Sequence, residues 1–202
     1  MSIETENTAT LSRKTKETDI QMCLNLFGEG NLTGQTGIGF FDHMLSVLSF
    51  YSQMDIDFTL NGDFQVDQHH SLEDLGMVLG LTFKNILNNT SHLRRTRYAH
   101  CYLPMDECLV RVVTDLSGRP YFLYKMPPLT ERVGTFETQC LKEFLRAFSH
   151  AAQMTLHIEG LYGENSHHLI EAIFKGLGLC LKEALKVDGK ALGVNSSKGS
   201  ID

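Results

Sequence analysis

The chain has 202 residues, 42% of them hydrophobic, and its 18 basic and 24 acidic side chains give a formal net charge of −6. This composition predicts a packed globule, and its acidic balance argues against broad binding to nucleic acid or anionic lipid. No apolar run approaches the roughly 18 residues of a membrane span, and residues 1–19 lack the apolar block of a secretion signal, so we expect a soluble, cytoplasmic protein with no membrane partner.

The predicted elements of the first half begin with an alternating segment at Ile20–Phe27, which ends in the glycine turn GEGN. A second extended segment follows, and apolar residues from Phe41 to Tyr51 then keep helical spacing. A short strand at Met54–Leu60 leads into a second helix that begins at two adjacent histidines. The order of elements is therefore β-β-α-β-α.

The second half repeats this order. Its alternating segment is Cys108–Asp115, its turn is SGRP, its first helix runs through Leu141–Phe148, and a strand at Met154–Ile158 precedes a second helix with paired histidines. Two β-β-α-β-α units predict an α+β fold, a sandwich of antiparallel or mixed sheet with helices packed on one face.

Direct comparison of the two halves indicates an internal repeat. The segment HHSLEDLGMVLGLTFK (His69–Lys84) matches HHLIEAIFKGLGLCLK (His167–Lys182) at both histidines, a glutamate, an LGL triplet and the final lysine. Upstream, Asp42–Phe58 aligns without a gap with Lys142–Ile158. We interpret the chain as a duplicated unit of roughly a hundred residues. The predicted boundaries are 13–99 and 100–195, with tails at 1–12 and 196–202.

Both histidine segments have the pattern HHxxE on a predicted helix, which is typical of metal ligands. Residues i and i+4 share a helix face, so His69 with Glu73, and His167 with Glu171, can each bind one ion. The second histidines, His70 and His168, point roughly 100° away and can reach a different ion. Imidazole and carboxylate donors suit manganese, iron or zinc.

An alternative is that these polar residues only begin the helices. Asp67 and Asn165 precede the histidine pairs and could cap the helix N-termini. The recurrence of the pattern at equivalent positions of a repeat favours metal binding. The repeat also aligns His43 on the preceding helix with Glu143, which makes both of them candidate ligands.

Several basic and hydroxyl side chains are candidates for binding a phosphate group. Arg119 lies in the SGRP turn, and Lys175 shares a helix face with Glu171. The segment SSKG near the C-terminus offers hydroxyls, a cation and backbone N–H groups. The candidates are Arg97, Arg119, Lys175, Ser197 and Lys198.

These motifs resemble those of the imidazoleglycerol-phosphate dehydratase family of histidine biosynthesis, from about Arg13 to Gly199. The matching segments are TKET, TGIGFFDHML, DQHHSLED, PMDECL, DLSGRPYF, NSHHLIEAIFK and SSKG. The resemblance implies a carbon–oxygen lyase with two Mn²⁺ ions per active site. It also implies trimers assembled into a homo-oligomeric shell of twenty-four subunits, with active sites at subunit interfaces and a small phosphate ester as substrate.

The resemblance further implies a mechanism. Two ions would hold the substrate as an imidazolate, the ring would expel the C3 hydroxyl, and loss of the C2 proton would give an enol that ketonises. Glu17 of TKET and Glu171 are the expected catalytic carboxylates, with Glu17 as the acid/base group near C2. The substrate would contact Glu17, His43 and the phosphate-binding candidates.

The chain departs from the family at two positions, because the family usually has histidine in place of Glu143 and often proline in place of Asn195. Alternative functions of other classes are a dimetal hydrolase, a metal-storage helix bundle and an RNA-binding sheet. The strand-like segments argue against the bundle, and the acidic charge with no ribonucleoprotein motif argues against RNA binding.

Overall fold

The structure, a computed structural model, describes residues 6–192 and 195–196, with the backbone alone for 188–192. In the first half, a four-stranded sheet has the order β1-β2-β4-β3. Its neighbours are antiparallel except for β3, which runs parallel to β4. The elements are β1 (Thr8–Lys14), β2 (Thr18–Asn25), β3 (Leu32–Thr33), α1 (Gly39–Ser52), β4 (Asp55–Gly62), α2 (His69–Asn89) and β5 (Leu93–Arg95).

The second half has the same topology. Its sheet has the order β6-β7-β11-β8, again with the short strand β8 parallel to its neighbour β11. The elements are β6 (Tyr98–Met105), β7 (Cys108–Asp115), β8 (Tyr121–Lys125), β9 (Arg132–Val133), β10 (Phe136–Glu137), α3 (Gln139–Ala151), β11 (Thr155–Tyr162), α4 (Ser166–Leu185) and β12 (Val187–Leu192). Strand β12 pairs with β5 and so joins the end of the second half to the end of the first.

The four helices pack between the two sheets, and each helix packs against one from the other half. Helix α1 packs on α4, and α2 packs on α3. Glycines allow this close approach, because a Cβ at Gly80 would lie 2.4 Å from the carbonyl oxygen of Phe148 and one at Gly178 would lie 3.0 Å from the backbone nitrogen of Ser52. The cross-packing brings together the N-terminal ends of helices from different repeats.

The predicted α+β sandwich is confirmed, with one correction at its N-terminal edge. Residues 8–14 form a strand, although 1–12 was predicted to be a tail. Strand β6 likewise adds a strand before Cys108–Asp115, the predicted first strand of the second unit. Both are edge strands whose residues are mostly half-buried or exposed, so their sequences lack a strong apolar alternation. Among the described residues, no helix is both long and apolar enough to cross a membrane.

Candidate active site

The first cluster of candidate ligands forms where α1 meets α4. In α4, Nε2 of His167 lies 3.1 Å from Oε2 of Glu171, as expected for an i,i+4 pair. Nε2 of His43, supplied by α1, lies 3.7 Å from the same oxygen. The donor atoms of the three residues all lie within 4.8 Å of one another, which is close enough for one ion to bind all of them. The repeat predicted that His43 is a candidate ligand, and the structure places it beside the histidine and glutamate of the second repeat.

Glu171 is held in its ionised form by its neighbours. Its side chain is only 10% exposed, and Nζ of Lys175 lies 2.8 Å from its Oε1. Burial alone raises the pKa of Glu171, but the hydrogen bonds and charges of Lys175, His167 and His43 together lower it below its ordinary value. The carboxylate therefore has the charge that a divalent cation requires.

The corresponding cluster forms where α2 meets α3 and contains an arginine. We call it the first-repeat cluster, after its histidine pair. Nε2 of His69 lies 3.4 Å from Oε2 of Glu73, again an i,i+4 pair. Glu143 is joined to this pair through Arg146, whose Nη2 lies 2.7 Å from Oε1 of Glu73 and 2.7 Å from Oε2 of Glu143. The packing of α2 on α3 thus places Glu143 beside Glu73, as His43 lies beside Glu171 in the first cluster. The guanidinium of Arg146 bridges the two carboxylates.

The helix-capping alternative is confirmed for Asn165, the N-cap of α4, whereas the N-cap of α2 is Gln68 and Asp67 lies one residue before it. Oδ1 of Asn165 accepts hydrogen bonds from the backbone N–H groups of His167 and His168. Oδ1 of Asp67 accepts one from the backbone of His69 at 2.7 Å. Because Asp67 and Asn165 satisfy the helix ends, the imidazole rings are not needed for capping.

The second histidines point away from both clusters, as predicted. Nδ1 of His70 lies 2.9 Å from Oδ2 of Asp63, and Nδ1 of His168 lies 2.9 Å from Oε2 of Glu107. The hydrogen bond that Asp63 accepts from His70 raises the pKa of His70, and the charge of Glu17 contributes to the same effect. Glu17 lies in the turn between β1 and β2. Within the described part of one chain, neither second histidine joins the cluster of the other repeat. Inside a single chain, they therefore do not reach the different ion that the sequence analysis expected.

A third group, Glu107, Cys108 and His168, also has donor atoms within 4.8 Å of one another. Cys108 is buried, and burial together with the hydrogen bond to Glu107 raises the pKa of its thiol to about 11. Since the thiolate is the metal-binding form of cysteine, Cys108 is a poor ligand here. This group is therefore a weaker candidate for a metal site than the first cluster.

The phosphate-binding candidates divide between two places. Lys175 lies at the first cluster, beside Glu171. Arg97 is almost fully buried, paired with Asp115 and hydrogen-bonded to the backbone oxygen of Asn195. Arg97, Asn195 and Gly118, which precedes Arg119, line a cavity of about 340 Å³ that also contacts Lys84 and Arg95 but none of the predicted metal ligands. Ser197 and Lys198 lie outside the described residues.

Three side chains of this region were missed by the sequence analysis: Asp63, Glu107 and Arg146. Arg146 had a local signal, since it lies one helical turn after Glu143. Glu107 belongs to the PMDECL motif but carried no assigned role. Asp63 follows β4 and reaches His70 only through the turn between β4 and α2, so no periodic pattern marks it.

The donor atoms fit a transition metal. The first cluster offers two imidazole nitrogens and one carboxylate oxygen, a set that suits manganese, iron or zinc. Three protein ligands also leave coordination positions open for further ligands. The first-repeat cluster offers one imidazole and two carboxylates, provided that Arg146 moves away from them.

Comparison with known proteins gives one consistent answer. The family model for imidazoleglycerol-phosphate dehydratase matches residues 36–181. The chain is 49% identical over 193 residues to the imidazoleglycerol-phosphate dehydratase of Oceanobacillus iheyensis, covering 96% of this chain and 98% of that protein. It is 48% identical over 195 residues to the enzyme of Nitrobacter hamburgensis, with the same coverage.

Solved structures agree with the sequence comparison. The crystal structure of the dehydratase from Staphylococcus aureus has a TM-score of 0.78 at 34% identity, covering 90% of this chain and 99% of that one. The structure from Pyrococcus furiosus has a TM-score of 0.77 at 34% identity, covering 94% and 99%. The chain therefore belongs to the imidazoleglycerol-phosphate dehydratase family, a family of hydro-lyases.

Proposed function

We propose that this chain dehydrates D-erythro-imidazole-glycerol phosphate to imidazole-acetol phosphate in histidine biosynthesis, using two Mn²⁺ ions per active site. The observation that carries the proposal is the cluster of His43, His167 and Glu171 between α1 and α4. A second cluster, His69, Glu73 and Glu143, lies between α2 and α3, and two metal sites would suit a substrate with two ring nitrogens.

In this proposal, residues of both repeats bind each ion. His43, His167 and Glu171 would bind one, and His69, Glu73 and Glu143 the other, with His70 and His168 completing the sites. The ions, when bound, would supply Lewis-acid chemistry to the imidazole ring of the substrate. The near-burial of Glu171 and its ionised state support its role as a ligand.

The protein side chains would handle the proton and the leaving group. The C3–O bond breaks with its electron pair on oxygen, and a general acid protonates that oxygen so that it leaves as water. The C2 proton passes to a carboxylate, and the electron pair of the C2–H bond forms the C2–C3 double bond. Glu17 is suited to this proton transfer because it is exposed in the turn between β1 and β2 and its charge acts on His70. The resulting enol then ketonises. Glu171 would act through its position beside the reacting ring, as both ligand and neighbour of Lys175.

The phosphate of the substrate would be held by Arg97, Arg119, Lys175, Ser197 and Lys198. Holding the phosphate fixes the ring relative to the metal ligands, which lowers the entropic cost of reaction. Arg97 is well placed to act as a rigid anchor, because Asp115 and the backbone of Asn195 already hold its guanidinium.

We further propose a homo-oligomer, trimers assembled into a shell of twenty-four chains in the cytoplasm, with each active site shared between subunits. Two observations support sharing. The cavity at Arg97 contains none of the predicted metal ligands. The second histidines also point away from the clusters of their own chain. Light scattering on the manganese-loaded protein tests this, and the mass of a single chain would contradict it.

The direct test is turnover of imidazole-glycerol phosphate by protein purified with manganese, together with metal analysis. We expect the keto product, two ions per active site, and parallel loss of metal and activity on chelation with recovery when Mn²⁺ is restored. Release of inorganic phosphate instead would indicate a hydrolase. Absence of bound transition metal after purification with manganese would contradict the proposal.

A further inference from the structure

We propose that Glu107 is a positioning residue that holds His168 with its Nε2 atom directed toward a metal, and that Asp63 does the same for His70. The inference rests on the proposed function, because it treats the second histidines as metal ligands. It adds residues to the site that neither the HHxxE pattern nor the repeat identified.

The contacts determine which nitrogen of each ring is available. Nδ1 of His168 lies 2.9 Å from Glu107, and Nδ1 of His70 lies 2.9 Å from Asp63. An ionised carboxylate only accepts hydrogen bonds, so the proton of the neutral imidazole must lie on Nδ1. Nε2 then keeps its lone pair, which is the form that binds a metal.

Glu107 is itself held in place by the N-terminus of α4, the helix that carries His168. Its Oε1 accepts a hydrogen bond from the backbone N–H of Asn165 at 2.9 Å. Asn165 is the N-cap of α4, and its side chain accepts from the backbone of His167. Both oxygens of Glu107 are therefore engaged, one by the helix cap and one by His168. A carboxylate with both oxygens engaged acts as an orienting group rather than as a ligand.

The hydrogen bond from Nδ1 of the second histidine to a carboxylate occurs in both repeats, but the acidic residue comes from different parts of the fold. Glu107 lies in the turn between β6 and β7, whereas Asp63 follows β4. The residue that follows the equivalent strand β11 is Gly163, which has no side chain to offer. The two acidic residues therefore do not occupy equivalent positions of the repeat, although each carboxylate lies at the same distance from Nδ1 of its histidine. This recurrence indicates that the histidine requires the contact.

An alternative is that Glu107, Cys108 and His168 bind an ion of their own. Their donor atoms lie close enough together, but Sγ of Cys108 lies 3.0 Å from Oε1 of Glu107 as a protonated donor. This alternative makes a separate prediction: an additional ion per chain that is lost in Cys108→Ala.

The experiment compares Glu107→Ala and Glu107→Gln with Glu164→Gln, a matched loss of charge at an exposed neighbour of the same helix cap. The first readout is ¹⁵N NMR of His168 in the metal-free protein, which reports the proton on Nδ1 or Nε2 without any metal. The second is a Mn²⁺ titration. We expect Glu107→Ala to lose the Nδ1–H form and to bind the affected ion ~10- to 100-fold more weakly, as for other groups that orient metal ligands.

Glu107→Gln keeps an acceptor oxygen, so it should retain the Nδ1–H form with a smaller loss of affinity, and Glu164→Gln should match the unaltered protein. The Gln variant also covers the case in which the alanine variant does not fold. An unchanged tautomer and an affinity within twofold of the unaltered protein would overturn the inference, as would an additional ion lost in Cys108→Ala. If the unaltered protein binds no Mn²⁺, the proposed function fails, while the NMR readout still decides whether Glu107 sets the tautomer.

Discussion

Arg146 competes with the metal in the first-repeat cluster, and its removal should strengthen metal binding there. Its guanidinium bridges Glu73 and Glu143 at 2.7 Å each. An ion that binds both carboxylates must displace these contacts and must approach a positive charge. The substitution Arg146→Gln removes the positive charge and shortens the side chain, while keeping its first three carbon atoms and a polar end. We therefore expect higher Mn²⁺ affinity at this site.

The exposure of the three side chains sets the size of the effect. Arg146 is 40% exposed, Glu143 25% and Glu73 29%, so solvent screens both ion pairs. Partly exposed pairs of this kind contribute about 0.5–1 kcal/mol each. Breaking two of them costs the ion about 1–2 kcal/mol, and each 1.4 kcal/mol is tenfold in affinity, so the gain should be roughly 5- to 30-fold.

The assay is a calorimetric Mn²⁺ titration of the metal-free protein, in which the two sites are resolved by affinity. Arg111→Gln is the matched control, because Arg111 is also an ion-paired arginine, bonded to Glu159 in the sheet of the second half. The Mn²⁺ affinity of the Arg111→Gln variant should equal that of the unaltered protein. Weaker Mn²⁺ binding by Arg146→Gln would refute the reasoning, because it would show that Arg146 organises the carboxylates for the ion.

Three further predictions concern the ligands and the helix crossing. Glu143→Ala should bind Mn²⁺ at least ~10-fold more weakly, whereas Glu143→His should retain or raise turnover, and equal affinity in the alanine variant would exclude Glu143 as a ligand. His70→Ala and His168→Ala should each abolish turnover with an unchanged circular dichroism spectrum, and near-normal rates would show the assignment to be wrong. Gly80→Ala should lower the melting temperature by roughly 2–12 °C, because its Cβ would lie 2.4 Å from the backbone oxygen of Phe148 and overpacking costs about 1–3 kcal/mol.

The glycine substitution has its own control. A Cβ at Gly39 would meet no atom within 4 Å, so Gly39→Ala makes the same chemical change in open space at the start of α1. Its melting temperature should stay within a few degrees of the unaltered protein. A similar drop in both variants would show that the cost comes from something other than the helix crossing.

The parts of the site that the sequence predicted are those with a period or a repeat. The i,i+4 spacing paired His167 with Glu171 and His69 with Glu73. The internal repeat aligned His43 with Glu143 and so made both of them candidate ligands. These predictions depend on backbone geometry that is the same in every α-helix. The fold class followed for the same reason, because hydrophobic alternation and helical spacing are local properties.

The parts that the sequence did not predict depend on where loops and edge strands go. Glu107 reaches His168 across 61 residues of chain, and Arg146 reaches Glu73 across 73. Such contacts arise from tertiary packing and leave no periodic signal. Strand β1 was predicted to be a tail because its half-exposed residues TATLSRK show little apolar alternation, although it pairs along its whole length with β2.

The cross-packing of helices has a consequence for the history of the duplication. A single repeat would leave the helix faces that α1 presents to α4, and α2 to α3, uncovered, and would hold only part of each ligand set. It could bury these faces only by pairing with a second copy about a twofold axis, with identical residues at both sites. Joining the copies in one chain makes that association independent of concentration. It also frees the two sites to change separately, as the histidine at 43 and the glutamate at 143 have done.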